Sequence, residues 1–449
     1  MRNNSTKGGF TRRHVIKVAG ASGAAASFGL VLPSRLLAQD APAQIPVGQL
    51  VPFTGSAAEF GTYYRDAAQL AFDQINKAAE QVFGGPIIGP VIVADSQTLP
   101  TPAVAAARRM VEADNVRAVI AAWSSGVTVA VAASVTIPNG VLQVGNGTTS
   151  PLVSVLPEDE GEDLLFRTSP SDALQGIIAG QLARGEIIPD YKFEKASSIY
   201  INNPYGQGLS NAFAAAFTKR GGTMLAEVAH AEEVQATYRS VVQAALEGDP
   251  DVILLPTYPA HTTAIIKEAR DNFGFNSFQF TDANQSDDIL RAVGADTMKG
   301  QLGTVPSADP DSPTFQSMRA AFLEAYPEYQ NLQPFTETTY DAALSIGLAM
   351  AKAVADGLSA DEIDGKALAS RLRDVNNAPG ERILAGDQDS ITAGLQNIKD
   401  GVDTDYVGAG GSVDFDDNGD VKTPYEIYRW TDTTNEHVMI IAAEDIPDA

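Results

Sequence analysis

Cysteine is absent from all 449 residues, which excludes disulfides, thiolate metal sites and cysteine nucleophiles together. Histidine is scarce, and His14, His230, His261 and His437 are scattered without metal-ligand spacing, so no metal site is expected. Positive charge is short as well, with 31 Lys and Arg against 56 Asp and Glu for a net charge of −25. Such a surface repels nucleic acid and anionic lipid, which excludes both as partners and leaves a soluble, salt-tolerant exterior. No G-x-S-x-G elbow and no Ser/His/Asp constellation is present, so an exported hydrolase has no nucleophile to rest on and a non-enzyme is expected. Beyond the first residues no apolar run approaches the roughly 18 residues of a membrane span.

The amino terminus is built differently. Arg2, Lys7, Arg12, Arg13, Lys17 and Arg35 meet no acid before residue 38, and a weakly apolar Ala/Gly run follows from Val18 to Leu32. This composition belongs to a targeting peptide rather than to a fold. Thr11-Arg12-Arg13-His14-Val15-Ile16-Lys17 resembles a twin-arginine export signal, with cleavage expected after Ala38 or after Ala43. The mature chain is then periplasmic, and taking six charges off −25 leaves −31.

From Gly48 to Asn76 a strand stops at Phe53-Thr54-Gly55, crosses a small polar loop and re-enters as an amphipathic helix from about Gly61. That arrangement puts backbone N–H groups and short hydroxyls at the carboxyl end of a sheet, where open α/β folds bind small ligands. The alternation continues, with strands expected near 46–51, 89–95, 117–122, 140–144, 197–201, 225–229, 252–255, 277–281 and 300–305. Helical patterns lie between them, near 61–81, 101–114, 126–137, 171–187, 205–220, 236–247, 259–273 and 284–294. Strands apolar on both faces, such as Val252-Ile253-Leu254-Leu255, suit buried parallel sheets, so the fold class is α/β with doubly wound parallel sheets. The rhythm restarts near Phe166-Arg167-Thr168, turns helical over 311–326, 336–356 and 361–376, and closes with strand-like 425–430 and 438–441. Late helices returning to an early sheet would make two lobes, both discontinuous, with the ligand between them.

Pro52-Phe53-Thr54-Gly55-Ser56-Ala57-Ala58-Glu59-Phe60-Gly61, Ala122-Trp123-Ser124-Ser125-Gly126, Asn146-Gly147-Thr148-Thr149-Ser150-Pro151, Phe166-Arg167-Thr168, Tyr200-Ile201-Asn202-Asn203-Pro204-Tyr205-Gly206-Gln207-Gly208 and Tyr340-Asp341-Ala342-Ala343 occur in order. The set resembles the leucine/isoleucine/valine-binding type of periplasmic solute receptor for ABC importers and covers nearly the whole mature chain. The resemblance implies the type I periplasmic binding protein fold, two lobes joined by three crossovers. It divides the chain into a leader (1–43), a first lobe (44–167 with 307–427) and a second lobe (168–306 with 428–449). It also implies a monomer that captures an amino acid or related small solute by lobe closure and delivers it to an ABC permease, with no cofactor. Receptors for amides, urea or aromatic acids, and ligand sensors, share the fold and stand as alternatives.

By position, the resemblance implies that Ser124 or Ser125 and Thr148 or Thr149 hold a ligand carboxylate, hydroxyls and helix-start N–H groups serving without a buried cation. Asp282, just past a strand, would hold the ammonium, with Asp287 and Asp288 as weaker alternatives. Tyr205 and Tyr258 would wall the cleft. Phe60 stands where relatives carry Tyr or Trp, so it lines the site without a hydroxyl. Taken alone, each Ser or Thr would be a helix cap, and Asp282 the N-cap of a helix near Asn284.

Two further motifs carry less. Gly206-x-Gly208-x-x-Asn211 is half a dinucleotide loop, without the third glycine or a ribose partner, and its glycines read as a tight turn. Asp414-Phe415-Asp416-Asp417-Asn418-Gly419-Asp420 begins like a calcium loop, but the bidentate acid is out of register and a turn between strands accounts for it.

Overall fold

A computed structural model describes residue 42 and residues 44–447. The expected leader, its twin-arginine run and both cleavage points lie outside the described residues. Five strands, β1 (Ile45–Val51), β2 (Ile88–Asp95), β3 (Ala118–Ile120), β4 (Leu142–Gly145) and β5 (Leu165–Arg167), form a parallel sheet in the order β2-β1-β3-β4-β5. A second parallel sheet holds β6 (Lys195–Ile201), β7 (Thr223–His230), β8 (Val252–Leu254) and β9 (Phe278–Gln279) in the order β7-β6-β8-β9. Helices join successive strands in both, as right-handed βαβ winding requires. The chain is therefore an α/β protein of two lobes.

Burial follows the sequence pattern. Central β8 is buried at every residue, whereas edge strand β7 has only exposed and half-buried positions before burying His230. Helices Gly61–Val82 and Thr336–Ala355 pack together over the first sheet, and the second is buried from all sides at 336–351. That helix, late in sequence and core to the early sheet, makes the first lobe discontinuous.

A three-stranded antiparallel sheet completes the second lobe. β10 (Leu302–Pro306) is followed by a parallel pair, β11 (Glu381–Leu384) and β12 (Thr404–Val407), and then by β13 (Tyr425–Trp430) and β14 (Asn435–Ile441). β13 lies between β10 and β14, paired with β10 from Tyr425 to Arg429, and Tyr428 and Trp430 join the second-lobe core. The expected division between residues 427 and 428 cuts this strand in two. The continuous ladder moves the crossing ahead of Tyr425, because half a strand cannot leave its partner without stranding paired backbone groups. β11, β12 and the helix Gln388–Asp400 were not anticipated at all.

Some elements are shorter than their patterns. The helix expected over 126–137 is α-helical only from Ser125 to Val131, then passes through a π-turn and a 3-10 turn to Asn139, where Pro138 removes a donor. The helix expected over 284–294 is a 3-10 turn, Asp282–Asn284, followed by Asp287–Val293.

Candidate functional site

The eight expected residues stand past the carboxyl ends of strands in the two lobes. Phe60 ends the 3-10 turn after β1, Ser124 follows β3, and Thr148 follows β4. From the other lobe, Tyr205 opens the helix after β6, Tyr258 precedes the helix Pro259–Phe273 after β8, and Asp282 follows β9. Their rings form one cluster with Trp123: Trp123 lies 5.3 Å from Phe60 and 4.8 Å from Tyr258, and Tyr258 stacks on Tyr205 at 5.6 Å.

The lobes meet through polar contacts around this cluster. Ser124 Oγ and Tyr258 Oη are hydrogen-bonded at 2.9 Å, and Ala260 N donates to Ser56 O at 3.2 Å. Ser286 Oγ donates to Glu59, and Ser150 Oγ to Pro204 O at 2.8 Å. Ser124 occupies the cap position of its helix yet makes no capping bond. Its hydroxyl faces the opposite lobe.

The paired alternatives separate clearly. Ser125 Oγ accepts from Thr149 N and Ser150 N at 3.2 Å each, which pins the β4 loop to the β3 loop. Thr149 Oγ1 donates to Asp172 Oδ2 at 3.0 Å. Ser125 and Thr149 therefore shape the two loops, while the Ser124 hydroxyl reaches Tyr258 of the other lobe. Thr148 Oγ1 is buried without a hydrogen-bond partner among the described residues.

Asp282 does not cap a helix. Thr281 and Asn284 form the capping box, and Asp282 Oδ1 accepts from Tyr205 Oη at 2.9 Å and from Gln175 Nε2 at 3.1 Å. Burial pushes its carboxyl up to about 6 against these bonds. Asp172 is likewise raised well above the usual carboxylate range, by burial and then by the nearby Asp282 charge. Asp172 Oδ1 and Gln175 Oε1 are also buried without partners among the described residues. Two carboxyls and an amide oxygen thus lie close together in the interior; neither carboxyl has an ion-pair partner among the described residues, although the nearby Arg167 charge partly offsets the rise at Asp172. Asp287 and Asp288 lie outside it: Asp287 Oδ1 accepts from Thr434 Oγ1 at 2.9 Å, and Asp288 pairs with Arg291.

One cation is buried behind the β4 loop, which the sequence reading did not foresee. Arg167, wholly inaccessible, makes a bidentate pair with Asp420 at 2.7 Å and donates to Thr148 O, Ser150 O and Ser154 Oγ. It is consumed by these acceptors and offers nothing to a ligand anion. Asp420 is thereby spent on Arg167, Asp416 Oδ1 accepts from Asn418 N and Asp420 N, and Asp414 Oδ1 accepts from Ala378 N. The calcium-like run is a hydrogen-bonded turn.

The glycines of the half-dinucleotide motif serve close approach, not the tight turn expected. Neither has positive φ, and a Cβ on Gly206 would stand 2.1 Å from Ile201 O while one on Gly208 would stand 2.8 Å from Pro151 Cδ. His230 and His261, far apart in sequence, lie with ring centroids 4.8 Å apart and are both held neutral by burial, at about 4 and about 3. Among the described residues, no group of three or more His, Cys, Asp or Glu is placed to hold a metal.

Sequence reasoning missed Asp172, Gln175, Asn203 and Glu232 as cleft residues. Asn203 Nδ2 donates to Tyr258 Oη at 3.0 Å and to Glu232 Oε1 at 2.8 Å. Asp172 and Gln175 stand three apart at the start of a helix, so they share a face, a signal present in the sequence but common to many helices.

Two lobes of parallel sheet with the strands' carboxyl ends turned toward one polar, aromatic-walled seam define a solute-binding receptor fold. A family model for periplasmic binding proteins matches residues 44–435, and the chain belongs to that family. It is 27% identical over 394 residues to a chemotactic signal transduction system substrate-binding protein of Halobacterium salinarum, covering 86% of this chain and 87% of that one. It is 25% identical over 406 residues to a Leu/Ile/Val-binding protein homolog of Brucella melitensis, covering 88% and 94%. The crystal structure of a leucine-binding protein from Thermotoga maritima superposes with a TM-score of 0.71 at 20% identity, over 89% of this chain and 99% of that one. No helix among the described residues is long and apolar enough to cross a membrane.

Proposed function

We propose that this protein is an exported receptor for an α-amino acid, which it captures between its lobes and delivers to an ABC permease after twin-arginine export. The observation that carries the reading is the polarity of the seam. A buried hydroxyl without a partner, Thr148 Oγ1, lies on the first-lobe side, and buried carboxyls without a basic partner, Asp282 and Asp172, lie opposite. A zwitterion satisfies both ends at once, and its side chain meets the rings of Phe60, Trp123, Tyr205 and Tyr258. Thr148 and Asp282 are the proposed contacts, with Ser124 bonded across the seam to Tyr258 and Ser125 and Thr149 holding the loops.

Naming the solute needs a thermal-shift screen of the mature protein against amino acids, amides, urea and aromatic acids, followed by calorimetry. Amino acids with apolar side chains are expected to raise the melting temperature by mass action. Stabilisation by another solute class alone would sink the amino-acid reading. The ring-rich wall favours one alternative, an aromatic carboxylate, which would leave Asp282 without a cation and so would bind alike to D282N and the parent.

A further inference from the structure

We infer that the indole N–H of Trp123 is a ligand donor, seated beside Thr148 Oγ1 so that both hydrogen-bond the carboxylate of the bound solute. The inference rests on the reading of the cleft as a seat for a carboxylate-bearing solute and adds to it a residue that selects for that group.

Three observations meet at Trp123. Its side chain is buried at 4% exposure, and Nε1 has no hydrogen-bond partner among the described residues. The indole also stands between the lobes, in ring contact with Phe60 on one side and Tyr258 on the other. Finally, it lies against the loop that carries Thr148: a Cβ on Gly147 would stand 2.3 Å from Trp123 Cδ1 and 3.2 Å from Nε1. Glycine at 147 lets the indole pack directly on the backbone next to Thr148, so two buried polar groups without partners, Nε1 and Thr148 Oγ1, belong to the indole and to the loop it packs on.

Ser124, the other expected carboxylate contact, has its hydroxyl engaged by Tyr258 across the seam. It locks the lobes together, which leaves the anion to Trp123 and Thr148. An indole N–H can only donate, so this end of the seam accepts an acceptor and rejects an ammonium. The carboxylate is oriented toward Trp123 and the ammonium toward Asp282, and a solute lacking the carboxylate leaves a buried N–H unpaired. Trp430 gives the internal contrast. Its Nε1 also lacks a partner, but it is packed with Phe280 and Tyr428 in the second-lobe core, away from the seam.

The chain has two tryptophans, so W123F and W430F separate the two roles. Calorimetry with the amino acid that most raises the parent's melting temperature should show W123F binding about 10- to 100-fold more weakly. W430F should bind like the parent. The parent's preference for that amino acid over its decarboxylated amine should shrink in W123F, which lost packing alone would not cause. Ligand should change the emission of W430F, where Trp123 alone reports, and leave that of W123F unchanged. If W123F folds poorly, T148V tests the same seat and should show the same loss of preference for the carboxylate. Parent-like affinity and preference in W123F overturns the inference. If amino acids fail but an aromatic carboxylate binds the parent and binds W123F more weakly, the amino-acid reading falls and the Trp123 seat stands. If no carboxylate binds the parent, both fall.

Discussion

Asp282 shows how burial turns a common residue into a specific one. Its carboxyl is pushed up to about 6 by desolvation, and a ligand ammonium alongside would draw it back down by favouring the charged form. Binding near pH 6 should then release a proton. Affinity for an amino acid should be level above about pH 7 and fall toward pH 5, and in D282N it should be weaker by about 10-fold or more and lose that slope. Calorimetry in buffers of different ionisation heat checks both, and a pH-independent affinity in the parent would refute the role.

Glu337 makes a prediction about stability alone. It is buried at the start of its helix, raised to about 8 by desolvation and then by Asp341, which is itself raised to about 6. A carboxyl whose folded value lies above the ordinary one favours the protonated fold. Its contribution is complete below about pH 4 and is lost as pH rises through 6 and 8. The parent's melting temperature should therefore drop between pH 5 and pH 9, and E337Q should narrow the drop. Equal drops in the two proteins would show that Glu337 does not titrate in this range. Its buried position on Thr336–Ala355 could not be read from the sequence, where it is one acid among 56.

Among the elements, those with strong periodicity were legible and those stabilised by distant partners were not. β1, β6, β8 and the helices that follow them fall where apolar alternation puts them, because each carries its own buried face. β11 and β12 pair only with each other, and β11 is half exposed, so neither gives an apolar run. The loops after β3 and β4 were found through family likeness, since hydroxyls at helix starts have no unique pattern. What makes them rigid, Arg167, lay in a motif already noted but given no role. Replacing Arg167 with Met should cost about 3–5 kcal/mol, because Asp420 is left as a buried charge without its partner. The carbonyl of Ser150 would also lose its side-chain donor, and that of Thr148 one of two, Ser169 Oγ remaining, so ligand affinity should fall with stability. Chemical denaturation of R167M and of R167M/D420L tests this: removing both charges should recover part of the lost stability, and no recovery would locate the cost elsewhere.

At the scale of the molecule, the described contacts between lobes are those of a shut seam: Ser124 with Tyr258, Ser56 with Ala260, Glu59 with Ser286. They accompany the ring contact of Trp123 with Tyr258, and a ligand touching both lobes adds to them only when the seam is shut, so binding shifts the population toward closure. Small-angle scattering should show a smaller radius of gyration with ligand than without, and S124A, which removes the Ser124–Tyr258 bond, should widen that difference. No change in radius on saturation would mean that binding and closure are not coupled. The two-lobed plan was legible because the βα rhythm stops and restarts. The last crossing was misplaced because sequence alone does not show that β13 pairs with β10 along its length.

That pairing has a consequence for biosynthesis. β10 is made some 120 residues before β13, judged from Pro306 and Tyr425, and at ribosomal speeds of about 5–20 residues per second it waits several seconds or more for its neighbour. During that interval its ladder edge is open and the pocket later filled by Tyr428 and Trp430 is unfilled. The nascent second lobe thus carries an open ladder edge until β13 has been made, and the order of synthesis sets when that edge is covered.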